Sequence, residues 1–239
     1  MNILLKALSV AFIPLTAMAQ GLDGSDQLIV VTSKGWDDIQ GTAQRYERHG
    51  QTFEKFEAPF AVVLGKSGMG WGKGLLDIGQ PEGPVKQEGD GKAPAGMFKL
   101  GTAFGYAPSA DTRLPYLPLT PTVECVDDSQ STRYNGLVDA AVVKKDWNSS
   151  ERMRRSDELY RQGIVIQHNT PATPAAGSCI FFHIWRGPTA PTRGCTAMDP
   201  ANIARLLDWL NPGKSPVLVQ LPQAQYERLR QRWKLPERQ

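Results

Sequence analysis

The sequence is poor in cysteine and histidine, and it has no hydrophobic run long enough to cross a membrane. Its 239 residues include 3 Cys and 3 His, and the formal net charge is only +3. A balance this close to neutral does not indicate nucleic-acid binding. The chain also lacks an internal repeat and a linker rich in Pro or Ser. These absences leave a single globular domain, residues 20–239, as the expected organisation of the mature protein.

The first 19 residues have the pattern of a cleaved secretory signal peptide. Lys6 precedes an apolar run from Ala7 to Leu15, and Ala19 fits the cleavage position. A membrane anchor is the alternative, but Pro14 interrupts the run, which falls short of the about 20 residues that span a bilayer. No Cys near the cleavage position could carry a lipid. We therefore expect an exported, periplasmic protein with no stable membrane insertion after signal cleavage.

Three cysteines in an oxidising compartment allow one disulfide and leave one thiol free. We expect Cys125 to pair with Cys179, which leaves Cys195 as the free thiol. The alternative is that Cys125 and Cys179 are small, buried residues in the reduced form. The leftover thiol is the chemically interesting one in either case.

The apolar pattern predicts a mostly β fold with peripheral helices. The 23 Gly and 18 Pro indicate many turns. Strands are predicted within residues 28–64 as a meander, and at 94–98, 164–167, 179–185 and 217–221. Alternation places Phe181 and His183 on one face of their strand and Phe182 on the other. Helices are predicted at 149–160, with its charges on a solvated face, at 199–210 with Asp199 as the cap, and at 223–233.

Spacing argues against two other kinds of site. Gly65, Lys66 and Ser67 follow an apolar strand, but a phosphate-binding loop needs a glycine where Phe60 stands. A zinc peptidase would have to use the three histidines, including His49, and the chain has no His-Glu-any-any-His helix. The spacing therefore argues against both a phosphate-binding loop and a zinc peptidase site.

Cys195 lies on a predicted tight turn immediately after Gly194, where its side chain should be exposed. Glycine allows backbone angles closed to other residues, so the amides around Cys195 can converge on an oxyanion. A thiol becomes a good nucleophile beside a base or a cation, and His183 and Arg193 are the local candidates. The ordinary alternative for His183 is a structural strand residue.

The stretch from Cys179 to Met198 resembles the signature of the L,D-transpeptidase (YkuD-type) family. That signature has a His on a strand, a loop, then Ser or Thr, His, Gly, Cys, a variable residue, Arg, and Met or Leu. The matching residues are His183, Thr192, Gly194, Cys195 and Met198. Residues 88–98 also resemble the family's polar turn that leads into a Pro-any-Gly-any-Phe strand. Arg193 replaces the second His, Ala197 replaces the Arg, and the spacing from His183 to Cys195 is shorter than usual.

The resemblance, which covers residues 60–221, implies a single β-sandwich or barrel domain that acts on peptidoglycan stem peptides. Cys195 would attack a stem-peptide carbonyl while His183 takes the thiol proton, terminal D-alanine would leave, and an amine would resolve the thioester. The backbone at Gly194 and Thr196 would hold the oxyanion. The resemblance implies no metal and no organic cofactor. Hydrolysis by an L,D-carboxypeptidase or amidase of the same fold is one alternative, and a wall-binding protein with a relict site is another.

Other polar and aromatic residues are candidates for the walls of a peptide-binding pocket. Arg193 has two interpretations, a cation that lowers the thiol pKa or a solvent-facing side chain. His168 stands at the end of the strand before the hairpin loop, where a plain structural role is the ordinary alternative. The full set of candidates is Arg193, Thr192, His168, Asn169, Asp127, Asp128, Tyr134, Asn135 and Trp147.

Overall fold

The computed structural model describes residues 22–79 and 82–237. The predicted signal peptide, residues 1–19, lies outside those residues. Within the described part of the chain, no helix is both long and apolar enough to cross a membrane.

Strands make up most of the regular structure. They are β1 (Gln27–Ser33), β2 (Gln40–His49), β3 (Thr52–Val63), β4 (Met69–Trp71), β5 (Ala93–Gly105), β6 (Tyr116–Pro118), β7 (Val123–Val126), β8 (Leu137–Asp139), β9 (Ser150–Arg152), β10 (Gln162–Ile166), β11 (Phe181–Ile184), β12 (Thr196–Met198) and β13 (Val217–Pro222). The helices are α1 (Pro200–Trp209) and α2 (Gln223–Leu229), with a 3₁₀ turn at Pro212–Lys214. The fold is mostly β with few helices, as the sequence predicts.

The main sheet closes on itself like a barrel. Its strand order is β10-β11-β12-β3-β2-β1-β13-β5-β4, and a further pairing between β10, the first strand of this path, and β5, the last but one, closes the sheet. β1 is buried at every position and pairs with β2 antiparallel and with β13 parallel. Its centre, residues 28–31, is accordingly apolar on both faces. A separate small sheet has the order β8-β7-β9.

The two faces of β11 belong to two different hydrophobic clusters. Ile180, Phe182 and Ile184 pack in the large core, together with residues of α1. Phe181 lies in a second cluster that also contains all three cysteines. The alternation predicted for this strand is therefore confirmed, and it places the free thiol in the second cluster.

Helix α1 begins where the sequence predicts. The Asp199 side chain accepts a hydrogen bond from the Ala201 amide at 2.9 Å, and Pro200 occupies the first turn. Its buried face includes Ile203 and Leu206. α2 is shorter than predicted, because regular helix ends at Leu229 instead of residue 233.

The helix predicted at residues 149–160 is wrong. Ser150–Arg152 form β9, which pairs with β7, and the rest of the segment is made of turns. Asp157 is one reason, because its carboxylate binds the Arg155 guanidinium and reaches the Leu159 amide, a local arrangement that competes with helical hydrogen bonds. The prediction that the charges of this segment are solvated holds for Arg152, Arg154 and Glu158, which are exposed. It is wrong for the half-buried Glu151, Arg155 and Asp157.

A disulfide ties the small sheet to the main one. Cys125 on β7 is bonded to Cys179, which lies two residues before β11, across a sequence separation of 54. This is the pairing that the sequence favoured, and Cys195 is the free cysteine of the described chain.

Candidate active site

Cys195 lies immediately before β12 and is held by the turn that precedes it. The Thr192 hydroxyl donates to the Cys195 carbonyl at 2.6 Å and accepts from the Gly194 amide at 3.0 Å. The prediction that the turn exposes this side chain is wrong, because Cys195 is only 7% exposed. β12 is an inner strand between β11 and β3, and Phe181 and Tyr160 pack in the same cluster as the thiol.

Gly194 is required by both conformation and space. Its φ is +148°, and a Cβ there would stand 3.1 Å from the Lys92 carbonyl oxygen. Its amide hydrogen bonds to Thr192. A substrate oxyanion would have to displace that bond to use the Gly194 amide.

His183 shares a face with Cys195 on neighbouring strands. β11 and β12 run parallel with His183 opposite Ala197, so Cys195 lies two positions away on the same side. The His183 Nδ1 is 2.7 Å from the Ile184 carbonyl oxygen. Since a carbonyl oxygen can only accept a hydrogen bond, Nδ1 carries the proton. Nε2 is then the basic atom. Burial lowers the pKa of His183 to about 4, so the ring is neutral near pH 7.

The Cys195 thiol is also neutral in the resting protein. Burial is the main cause that raises its pKa to about 12, and the negative charge of Glu151 adds to the rise. A hydrogen bond from the Phe181 amide, the charge of Lys86 and a hydrogen bond with Tyr160 act in the opposite direction. The site therefore holds a thiol and an imidazole, not a preformed ion pair.

Tyr160 contacts both reactive side chains. Its ring stands edge-on to His183 with 5.1 Å between ring centroids, and its hydroxyl interacts with the Cys195 thiol. The same hydroxyl donates to Glu151 Oε1 at 2.8 Å. Burial raises the pKa of Glu151, and Arg155 contacts the same carboxylate oxygen at 3.3 Å. A buried hydroxyl thus connects the thiol to a carboxylate.

Lys86 places an ammonium group behind the Cys195 turn. Its side chain is 3% exposed, and Nζ donates to Asp90 Oδ1 and to the Gln87 carbonyl oxygen at 2.7 Å. Nζ lies 3.9 Å from the point where a Cβ of Gly194 would stand. Arg193, the cation that the sequence offered for this place, is exposed to solvent.

A cavity of about 260 Å³ lies beside the disulfide. Its walls include Tyr134, Asn135, His168 and Phe181. The Asn135 amide donates to the carbonyl oxygens of His168 and Asn169 and accepts from the Cys179 amide, so it fixes the backbone that forms the wall. Cys195 is not among the residues that line this cavity, but it is linked to one of them, because Cys195 Sγ donates to the Cys179 carbonyl oxygen at 3.5 Å.

The remaining pocket candidates have structural roles or lie elsewhere. Burial lowers the pKa of His168 to about 4, and its Nε2 is 3.0 Å from the Ala176 carbonyl oxygen. Asn169 is fully buried and folds the hairpin loop through bonds to Thr173 and Gly177. Trp147 is not among the residues that line the cavity, and it donates to Glu124 at 2.9 Å.

Tyr134 and Asp128 also bond within the fold. The Tyr134 hydroxyl donates to Glu88, and burial raises its pKa. Asp128 accepts from the Asn148 amide at 2.8 Å, whereas Asp127 Oδ1 is buried without a hydrogen-bond partner.

The structure brings some predicted residues together and adds others that sequence reasoning missed. Cys195, His183, Thr192 and Gly194 form one site. Tyr160 and Glu151 were missed because their segment was predicted as a solvated helix, and Lys86 because a polar turn gives no sign of burial. Among the described residues, no cluster of His, Cys, Asp and Glu could hold a metal ion.

Comparison with known proteins identifies a family for this chain. The model of the L,D-transpeptidase catalytic domain (YkuD) matches residues 38–219. None of the curated proteins compared with this chain matches it. Among solved structures, the helical cell shape determining protein Pgp2 from Campylobacter jejuni is similar, with 16% sequence identity, a TM-score of 0.42, and coverage of 82% of this chain and 48% of Pgp2. The chain thus spans about half the length of Pgp2, and a likeness this distant carries no argument about function.

The family match extends from β2 into β13 and includes the whole Cys195 site. It contains the strand that carries His183, the Thr192 turn and the thiol itself, in the order that the sequence signature requires. Since the matched region is well over half of the chain, this protein belongs to the L,D-transpeptidase (YkuD) catalytic domain family.

Proposed function

We propose that this chain is an exported acyltransferase that acts on peptidoglycan stem peptides, with Cys195 as the nucleophile. The observation that carries the proposal is a free thiol and a neutral histidine on the same face of two adjacent strands. Membership of the family supports a wall peptide as the substrate. The signal-like first 19 residues support export.

In the acylation step, His183 acts as a general base. Because both groups are neutral, His183 Nε2 takes the thiol proton as Sγ attacks the carbonyl carbon of the third stem residue. The tetrahedral intermediate then collapses, and the imidazolium gives the proton to the amine of the departing D-alanine. The product is a thioester on Cys195.

In the second step, an acceptor amine attacks the thioester. His183 takes the proton that the amine loses. As the new amide forms, the Cys195 thiolate leaves and takes that proton back from His183. Water in place of the amine would give hydrolysis, which is the carboxypeptidase or amidase alternative. The same side chains serve both outcomes, so the acceptor decides between them.

The oxyanion donors that we propose are the backbone amides at Gly194 and Thr196. The Gly194 amide would exchange its bond to the Thr192 hydroxyl for one to the oxyanion. Thr196 is well anchored for this role, because its side chain donates to Gln220 at 2.7 Å and Gln220 donates to the Pro94 carbonyl oxygen at 2.8 Å.

The test is incubation of the mature chain with purified tetrapeptide muropeptides, followed by mass spectrometry. Crosslinked dimers with loss of D-alanine support transpeptidation, whereas shortened monomers alone assign the hydrolytic alternative. Cys195→Ser should abolish either product and should prevent a covalent carbapenem adduct. Undiminished turnover by Cys195→Ser would contradict the proposal. Thr170→Ser, a mild change at the wall of the cavity, provides a folded variant for comparison.

A further inference from the structure

We propose that Lys86 is a positioning residue that stabilises the Cys195 thiolate by its charge. The inference rests on the proposed function, because it concerns the nucleophile of that reaction. It assigns to a residue of the polar turn before β5 the role that the sequence offered to Arg193.

The first observation is the burial of a charged amine. The Lys86 side chain is only 3% exposed, although it carries a positive charge. Removing a charge from water costs several kcal/mol, which a single ion pair seldom offsets with a gain in stability. A buried lysine in a cleft is therefore a candidate for a functional role.

The second observation is the path that the fold leaves for this side chain. A Cβ at Gly177 would stand 3.0 Å from Lys86 Cε, and a Cβ at Gly194 would stand 3.9 Å from Nζ. Both glycines have positive φ, at +96° and +148°. Two glycines thus border the lysine. Because they have no side chains, the ammonium can approach Gly194, the residue next to Cys195.

The third observation is how the ammonium is fixed. Nζ donates to Asp90 Oδ1 and to the Gln87 carbonyl oxygen. Asp90 is held by backbone amides as well, because Oδ2 accepts from Gln87 and Oδ1 accepts from Lys92. The carboxylate is therefore fixed by three donors, and it in turn fixes the ammonium beside Gly194.

The charge acts through the nucleophile and not through contact with substrate. The thiol has Glu151 and Tyr160 near it, and the neutral His183 lies on the neighbouring strand. Arg155 pairs with Glu151, whereas the charge of Lys86 acts on the thiol itself and favours the thiolate. Because the ammonium is buried behind Gly194, a wall peptide does not reach it. Its effect is to make the thiolate less costly to form in the low-dielectric interior.

The experiment measures iodoacetamide alkylation of Cys195 in the full mature chain from pH 6 to pH 10. Cys195 is the free cysteine of the described residues, so the reaction reports one thiol. Lys86→Gln with Asp90→Asn removes the ion pair without leaving a buried charge. We expect at least a tenfold lower rate at pH 8, which corresponds to a rise of one unit in the apparent thiol pKa. Lys86→Arg should restore most of the rate.

The matched control is another buried cation with an exposed acidic partner. Arg45 is 3% exposed and pairs with Glu57 on the β2–β3 hairpin. Arg45→Gln with Glu57→Gln should lower stability but leave the alkylation profile unchanged. The inference is overturned if the Lys86 and Asp90 pair of changes leaves the rate within twofold of wild type. If a carbapenem forms no covalent adduct with wild-type Cys195, the proposed nucleophile fails instead, so the two failures are distinguishable.

Discussion

At the scale of single residues, the chain has two buried histidines, of which only one lies on the strand next to the thiol. Burial lowers the pKa of both His183 and His168 to about 4, but only His183 shares a face with Cys195. We expect His183→Gln to lower kcat by about 10² to 10⁴, the usual contribution of a general base. His168→Gln should change kcat by less than tenfold. Steady-state assays on muropeptides, with melting curves for both variants, check this.

A carboxylate opposes ionisation of the thiol. Glu151 raises the pKa of Cys195 through its negative charge, so Glu151→Gln should lower that pKa. The expected result is alkylation at pH 8 that is roughly two- to tenfold faster, equivalent to about 0.4–1.4 kcal/mol. Arg152→Gln, which removes an exposed charge next to Glu151 in the chain, is the control. A slower reaction in Glu151→Gln would show that this carboxylate instead supports the thiolate through Tyr160.

The reactive residues themselves could be predicted, whereas their environment could not. Cys195, His183 and Gly194 stand in a local pattern of residue types, and local patterns are visible in a sequence. Lys86 and Tyr160 reach the thiol from segments far away in the chain, so only the folded structure reveals them. The exposure of Cys195 was predicted wrongly for the same reason, because its cover comes from distant residues.

At the scale of elements, the disulfide anchors the small sheet to β11. It closes a loop with a sequence separation of 54 residues, for which the chain-entropy model gives about 4 kcal/mol. Cys125→Ala with Cys179→Ala should therefore lower the free energy of unfolding by 2–5 kcal/mol. Urea titration of the variant checks this, with Cys195→Ser as the single-sulfur control. A loss below 1 kcal/mol would show that hydrogen bonds such as that from Cys179 to Asn135 suffice to hold the sheet.

Elements with strong local signals were predicted and those that depend on partners were not. Helix α1 has a cap, a proline at its start and an apolar face, and each of these acts within a few residues. The segment 149–160 has a capping serine and many charges, which favour a helix locally. There, strand pairing with β7 and the ion pair between Arg155 and Asp157 give a different conformation. Tertiary contacts override propensity at such a place.

At the scale of the whole molecule, closure of the sheet depends on a pairing that no local pattern reveals. β5 pairs with β13 along one part of its length and with β10 along another, in each case antiparallel. The sequence indicates strands and their inward faces. It does not indicate that β5, a strand of 13 residues, pairs with more than one partner. The family resemblance supplied the barrel expectation that residue patterns alone did not.

The pH dependence of stability is also a property of the whole molecule, because two buried histidines lie in different parts of it. Their pKa values are about 4 in the folded protein against an ordinary 6.5. Above pH 6.5 both states leave the rings neutral. Below it, the unfolded chain binds protons that the folded protein does not, so the free energy of unfolding falls toward pH 4, by up to about 1.4 kcal/mol per pH unit for each ring.

We therefore expect the urea midpoint to fall between pH 6.5 and pH 5, before most carboxylates titrate. Glu151 has the opposite effect on stability, because its raised pKa favours proton binding by the folded protein. Since its ordinary pKa is 4.5, this effect is felt mainly at the lower end of the pH range. His183→Gln should roughly halve the slope of stability against pH, and adding His168→Gln should remove most of the remainder. A slope that stays unchanged in both variants would mean that these rings are already accessible to protons in the native state.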